Sequence, residues 1–251
     1  MQFMDTHVHL QDFNNRNATE IINQAQKAGV SDFVCISVHE NDWVKVDDIA
    51  HMFPQNIIPS FGIHPWHVEK CSDNWVHKLE FFLQKYPSAA IGECGIDRSK
   101  NIDIHLQEKI FFQQIELAQD LCRTLIIHAV KAQEQIEKLW NKFPKKTIFH
   151  SFNSSLEFLQ QIIKHGFYVG INFSILRHPK KEQILKNIPL KQLLTETDAP
   201  YQPKEKNGEN YPALLPQLVK EIALIRGDNT ETCAQQIYEN ANFIFKQCEK
   251  K

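Results

Sequence analysis

Short apolar runs rich in β-branched residues recur eight times along this chain, each followed by a longer amphipathic stretch. This rhythm constrains the fold more than any other feature. Strands separated by helices pair in parallel, and the crossovers that join them are right-handed. The runs predict strands over 2–6, 32–38, 57–63, 89–92, 125–127, 147–149, 167–171 and 193–195. The stretches between them predict helices over 19–28, 42–53, 73–86, 103–121, 133–143, 155–165 and 180–187, with two more over 212–226 and 230–246. Within 103–121, Leu106, Ile110, Phe111, Ile115, Leu117 and Ala118 recur at helical spacing. Eight such units in 251 residues imply an α/β protein, a (β/α)8 TIM barrel built as a single domain from residues 1–251. A doubly wound open sheet is the competing arrangement. No Pro/Gly/Ser-rich linker divides the chain, and the polar stretch 202–210, with Lys204, Lys206 and Gly208, reads as a surface loop over the barrel mouth.

Composition excludes other classes. At 42% hydrophobic and 23% charged residues the chain is too apolar for a disordered protein and too long for a disulfide-knit miniature. Its longest apolar runs fall far short of the roughly 18 residues of a membrane helix, so no membrane partner is expected. A formal charge of −2 leaves any attraction for nucleic acid to a local patch. The short clusters Lys142-Lys145-Lys146 and Lys180-Lys181 read as solvated helix ends. Cys35, Cys71, Cys94, Cys122, Cys233 and Cys248 form no C-x-x-C pair, and the first residues show no basic leader segment. Reduced thiols in a cytoplasmic protein are therefore expected, and no obligate protein partner is evident.

The chemistry collects at the C-terminal ends of the predicted strands, which in a barrel converge on the catalytic face. Strand one ends Asp5-Thr6-His7-Val8-His9, strand three Gly62-Ile63-His64-Pro65, and strand four Gly92-Glu93-Cys94-Gly95. Strands five and six end in His128 and His150, and strand eight in Glu196-Thr197-Asp198-Ala199-Pro200. A lone histidine at a strand end is ordinarily a hydrogen-bonded loop residue. His7 and His9, two apart in an extended chain, face the same side and can meet one ion. Together His7, His9, Glu93, His128, His150 and Asp198 form a polar cluster that is costly to bury without a compensating cation. Imidazole and carboxylate without thiolate suit zinc, manganese or magnesium. Four histidines and two carboxylates exceed the needs of one tetrahedral ion, so two divalent ions are expected, with Glu93 between them. Asp198 would orient the attacking water and carry its proton. Four positive charges against two carboxylates leave a locally positive pocket, suited to an anionic substrate such as a phosphodiester.

These segments, in this order, resemble the TatD metal-dependent hydrolases of the amidohydrolase superfamily. Asn210-Tyr211-Pro212 and Tyr238-Glu239-Asn240-Ala241 with Phe245 extend the resemblance over nearly the whole chain. It implies a TIM barrel with His7, His9, Glu93 and Asp198 on a first ion, Glu93, His128 and His150 on a second, and His64 near the substrate phosphate. Family members include DNases, so the resemblance implies a deoxyribonuclease acting on single-stranded DNA or frayed ends, with Glu93 and Asp198 catalytic. Related branches act on other esters, including aminoacyl-tRNA. Hydrolysis of another ester or amide is thus an alternative, and a metal-binding module without turnover is a third. The chain departs from the family at Ala129-Val130, where Ser-Arg is common, and at Trp66 and Arg98, which replace a His and a Tyr.

Four further residues stand beside the mouth in sequence. Trp66 and Tyr201 would stack on bases or pack the rim. Arg98 would meet a phosphate or a surface carboxylate. Asp5 is expected to fix one of the neighbouring histidine rings.

Overall fold

Every apolar run becomes one strand of a single parallel sheet: β1 (Phe3–Val8), β2 (Val30–Ile36), β3 (Ile57–Phe61), β4 (Ala90–Asp97), β5 (Leu125–Val130), β6 (Thr147–Phe149), β7 (Tyr168–Ile171) and β8 (Leu193–Thr195), paired in sequence order. The structure is a computed structural model that describes residues 1–13, 16–205 and 207–246, so Lys206 and Cys248 lie outside the described residues. The ring closes just beyond β8. There the Asp198 amide donates to the His7 carbonyl at 2.9 Å and the His9 amide to the Ala199 carbonyl at 2.8 Å. The result is the (β/α)8 barrel rather than an open sheet.

The helices are α1 (Ala18–Lys27), α2 (Glu40–Met52), α3 (Trp75–Lys85), α4 (Ile104–Asp120), α5 (Gln133–Glu137), α6 (Leu156–Lys164), α7 (Lys181–Asn187), α8 (Leu215–Arg226) and α9 (Thr230–Lys246). Asn17, Asp103 and Ser155 cap α1, α4 and α6 with side-chain oxygens that accept from the first-turn amides. One expected helix is wrong. Residues 133–143 do not form a continuous helix: α5 ends at Glu137 and a 3-10 turn follows over Trp140–Lys142. Trp140 stacks on His165 at 4.7 Å and packs beside Phe149, Phe158 and Phe167. That packing overrides the local helical pattern.

Two apolar layers hold the barrel. The larger lies between the strands and the helices. The smaller fills the tube and joins Met4, Val34, Ile36, Ile58, Ala90, Ile126, Ile148 and Leu194 to Ala241, Ile244 and Phe245 of α9. Helix α9 thus plugs the N-terminal end of the barrel. Its backbone carbonyl at Ile244 accepts from Thr124 Oγ1 at 2.9 Å, and its Asn240 amide group donates to the Leu190 and Leu193 carbonyls.

Two strands switch face partway along. Register shifts fall between Asp5 and Val8 in β1 and between Ile91 and Cys94 in β4. Met4 and Ala90 belong to the inner layer, whereas Val8, Cys94 and Ile96 belong to the outer one. A one-residue slip reverses the alternation, and it turns His7 and Glu93 inward above the apolar filling. Strand β4 also runs past its expected end to Asp97, so Glu93 sits within the strand. A Cβ on Gly95 would lie 2.0 Å from the His128 carbonyl, so only glycine lets β4 continue this close to β5. Among the described residues no helix is long and apolar enough to cross a membrane, and Cys35, Cys71, Cys94, Cys122 and Cys233 are free thiols.

Candidate metal centre

The strand ends deliver all six sequence-expected ligands to one mouth, and Glu93 stands at their centre. Its Oε1 lies 2.7 Å from His150 Nε2, 2.8 Å from His128 Nδ1 and 3.4 Å from His64 Nε2. Its Oε2 lies 3.3 Å from His7 Nε2. On the β1–β8 side, Asp198 Oδ1 is 3.3 Å from His9 Nε2 and 3.7 Å from His7 Nε2. His9 Nδ1 donates to the Ile36 carbonyl at 3.1 Å, which fixes its ring with Nε2 turned into the cluster.

Burial raises the Glu93 carboxyl, but His150, His64 and His128 outweigh it and hold the group well below its ordinary value. Asp198 is likewise lowered, by His9, His7 and His150 against its burial. Burial lowers His9, His128 and His150, yet the facing carboxylates Asp198, Asp97, Glu93 and Glu196 bring each above the usual imidazole value. Burial and the neighbouring His150 leave His7 lowered.

These side chains fit divalent cations. Three groups bring their ligand atoms within 4.8 Å of one another: His7, His9 and Asp198; His64, Glu93 and His128; and His7, His150 and Glu196. His7 Nε2 and His9 Nε2 face each other at 3.2 Å. Two imidazole lone pairs at that separation repel unless a proton or a cation lies between them. His7 Nδ1, His150 Nδ1 and Glu196 Oε2 are buried and lack hydrogen-bond partners. Buried polar atoms of this kind need an explanation, and a bound ion is one.

The remaining expected residues separate into three groups. His64 caps a 3-10 turn over Pro65–Lys70, where its Nδ1 accepts from the Trp66 amide at 3.1 Å, and burial pushes it down to about 4. Trp66 and Tyr201 are 46% and 51% exposed, so neither is packed away in the rim. Trp66 Nε1 donates to Asp97 Oδ2 at 2.7 Å, and the same oxygen lies 3.2 Å from His128 Nε2. The Tyr201 hydroxyl donates to Asp12 at 3.0 Å, with its ring 5.3 Å from that of His9. Arg98 is exposed at the end of β4, where its backbone amide donates to the Val130 carbonyl.

Asp5 corrects an expectation, because among the described residues it bonds no imidazole ring and reaches His7 only at its backbone amide, at 3.4 Å. It accepts from the Thr197 amide at 2.9 Å and from the Thr197 hydroxyl, and so ties the barrel seam. Burial pushes this carboxyl up to about 7.

The sequence reading missed Glu196. Its Oε1 accepts from the Ser151 amide at 2.6 Å and lies 3.4 Å from His150 Nδ1. Gly170 makes room for it, since a Cβ there would sit 2.4 Å from Glu196 Oε2. A second carboxylate two residues before Asp198 was the available signal.

The family model described as "TatD related DNase" matches residues 4–246. A protein of Pantoea ananatis named "3'-5' ssDNA/RNA exonuclease TatD" is 29% identical over 90% of this chain and 92% of its own length. A Haemophilus influenzae protein named "Uncharacterized metal-dependent hydrolase" is 26% identical over 98% of this chain and all of its own. Among solved structures, the TatD homologue YJJV of Escherichia coli superposes with a TM-score of 0.91 over 98% of both chains at 24% identity, which shows the shared fold.

Proposed function

The chain belongs to the TatD related DNase family and is a metal-dependent hydrolase acting on ester bonds; from this premise we propose that it cleaves phosphodiester bonds in DNA, at single-stranded or frayed ends, using two divalent cations. The reading extends to RNA and to attack from a strand end, because a relative is named a 3'-5' exonuclease of single-stranded DNA and RNA. One observation carries it. Glu93 faces His7 with one oxygen and His128 and His150 with the other, so a single carboxylate spans both halves of the cluster.

In this reading His7, His9 and Asp198 hold one ion, His128 and His150 hold the other, and Glu93 serves both. Zinc, manganese and magnesium all suit this donor set. When bound, the cations polarise a phosphoryl oxygen and make water more acidic. Asp198, kept ionised by the histidines it faces, accepts the proton of the attacking water. His64 is neutral near pH 7, and its Nδ1 accepts from the Trp66 amide, so the proton sits on Nε2, which faces Glu93 Oε1 at 3.4 Å and steadies that carboxylate beside the phosphate site. Trp66 and Tyr201 offer exposed rings for bases, and Arg98 offers a guanidinium for a phosphate.

The test is cleavage of a labelled single-stranded oligonucleotide with Mg²⁺, Mn²⁺ or Zn²⁺, by wild type and Glu93→Ala. Cleavage by the wild type alone is expected. Equal cleavage by both proteins defeats the mechanism.

A further inference from the structure

Three histidines of the cluster are held from behind, each in a different way. His9 leans on the Ile36 carbonyl, and His150 Nδ1 faces the fully buried Glu196. His128 turns Nδ1 to Glu93 Oε1 at 2.8 Å and Nε2 to Asp97 Oδ2 at 3.2 Å. Of these three supports, that of His128 is the one that reaches the surface. Asp97 Oδ2 also accepts from the indole N–H of the half-exposed Trp66, at 2.7 Å.

Asp97 is itself fixed. It is buried, and its Oδ1 accepts from the Ser99 amide at 2.7 Å. The Gln107 side chain brackets its backbone, accepting from the amide and donating to the carbonyl. Oδ2 is thus left to two ring N–H groups, and removing one leaves a buried carboxylate oxygen short of a donor. Trp66 reaches the cluster by a second route as well. Its backbone amide donates to His64 Nδ1 at 3.1 Å, and His64 Nε2 faces the same Glu93 oxygen as His128 Nδ1. One residue therefore braces both imidazoles that flank that oxygen.

We propose that Trp66 is a positioning residue for the cation held by His128, in addition to offering a ring to bases. The indole N–H holds Asp97, and Asp97 holds the proton on His128 Nε2. His128 Nδ1 is left as the lone pair that meets the ion. The inference rests on the two-cation reading and deepens it, because the surface that receives substrate and the ligand that receives the ion share one side chain. The two duties use different parts of the indole. Stacking uses the area of the ring, whereas positioning uses the N–H alone. A phenyl ring keeps the first and loses the second. An imidazole keeps a ring N–H two bonds from Cγ, as an indole does, but has far less area to stack.

The test compares Trp66→Phe and Trp66→His by calorimetric titration of the metal-stripped protein with Mn²⁺, beside cleavage of a labelled single-stranded oligonucleotide at saturating Mn²⁺. Trp66→Phe weakens Mn²⁺ binding about tenfold, the lower end of what loss of outer support costs a metal site, and leaves KM within about twofold. Trp66→His binds Mn²⁺ as the wild type does and raises KM about tenfold, the effect of one lost stack. In an Asp97→Ala background, Trp66→Phe weakens Mn²⁺ binding no further. Melts in EDTA check that each variant is folded, and the Phe and His proteins decide the matter even if Asp97→Ala does not fold.

Equal Mn²⁺ affinity in wild type and Trp66→Phe overturns the positioning role, as does a Trp66→His protein that binds no better than Trp66→Phe. A wild type that binds no Mn²⁺ overturns the two-cation reading together with it. A wild type that binds Mn²⁺ but leaves the oligonucleotide intact overturns the phosphodiester reading, while the affinities still decide the role of Trp66.

Discussion

The two halves of the barrel interior are built from the same strands and obey opposite rules. Below, the inward residues are mostly apolar and α9 covers them, with Asp32 and Thr124 as polar ties to its Lys246 and its Ile244 carbonyl. Above, the inward residues are His7, Glu93, His150 and Asp198, which are buried, and His128, which is partly so. The lower half stabilises the fold by burial of hydrocarbon. The upper half keeps charge out of water and recovers stability only through ion pairs and whatever cation those pairs attract. The boundary between them is the pair of register shifts in β1 and β4, where one slipped residue exchanges apolar filling for imidazole and carboxylate. A fold can thus insert a polar site into a packed tube without changing the number of strands or their order.

Substitutions in each half sharpen this contrast. Glu93→Gln, in the upper half, is expected to reduce hydrolysis by at least ~10³-fold while the protein stays folded, checked by steady-state kinetics beside a thermal melt. Ile126→Ala, in the lower half, is expected to destabilise by about 3 kcal/mol and leave kcat within about twofold, because its side chain belongs to the inner filling. Denaturant titration together with kinetics checks this pair, and an Ile126→Ala protein that is stable but inactive would break the contrast.

Cation should stabilise through the upper half alone. At about 100 times its dissociation constant a divalent ion adds ~2.7 kcal/mol, roughly 5–10 °C in Tm for a chain of this size. The shift should persist in Ile126→Ala and shrink in Glu93→Gln, as read by melts with and without EDTA. Asp97→Asn, which loosens the support of His128 and Trp66, should lower activity or metal affinity by about 10–100-fold.

The smallest effect is expected outside both halves. Burial raises the Glu40 carboxyl, but Lys78 and the Ser72 donors outweigh it and hold it below its ordinary 4.5. Its contribution is therefore present above that value and disappears as pH falls through the lowered folded value. Glu40→Gln should cost about 0.5 kcal/mol at neutral pH and nothing in strong acid, without altering hydrolysis.

The barrel was legible because periodicity reports burial, and burial is what a strand–helix repeat exists to achieve. The clustering of the six polar residues was legible because the C-terminal ends of parallel strands must meet. What escaped had other causes. The strand expected over 89–92 continues to Asp97 because Gly92 and Gly95 allow close contact with β5, which the apolar run alone does not reveal. Residues 133–143 carry a helical pattern, but Trp140 is drawn into an aromatic cluster that no local window contains. Glu196 and Asp5 are carboxylates whose partners lie far away in the chain, His150 and Ser151 for one and Thr197 for the other. Spacing alone could not assign them, and Asp5 went to the wrong partner.

The closure beyond β8 has a further consequence. His7 and His9 stand on one side of that join and Asp198 on the other, and the join is held by the amides of His9, Thr197 and Asp198. Any fluctuation that parts the first and last staves also pulls the triad apart. Deuterium uptake at those three amides is consequently a built-in gauge of site integrity, readable with neither substrate nor turnover. An ion gripped across the join would slow their exchange before any other part of the molecule responded.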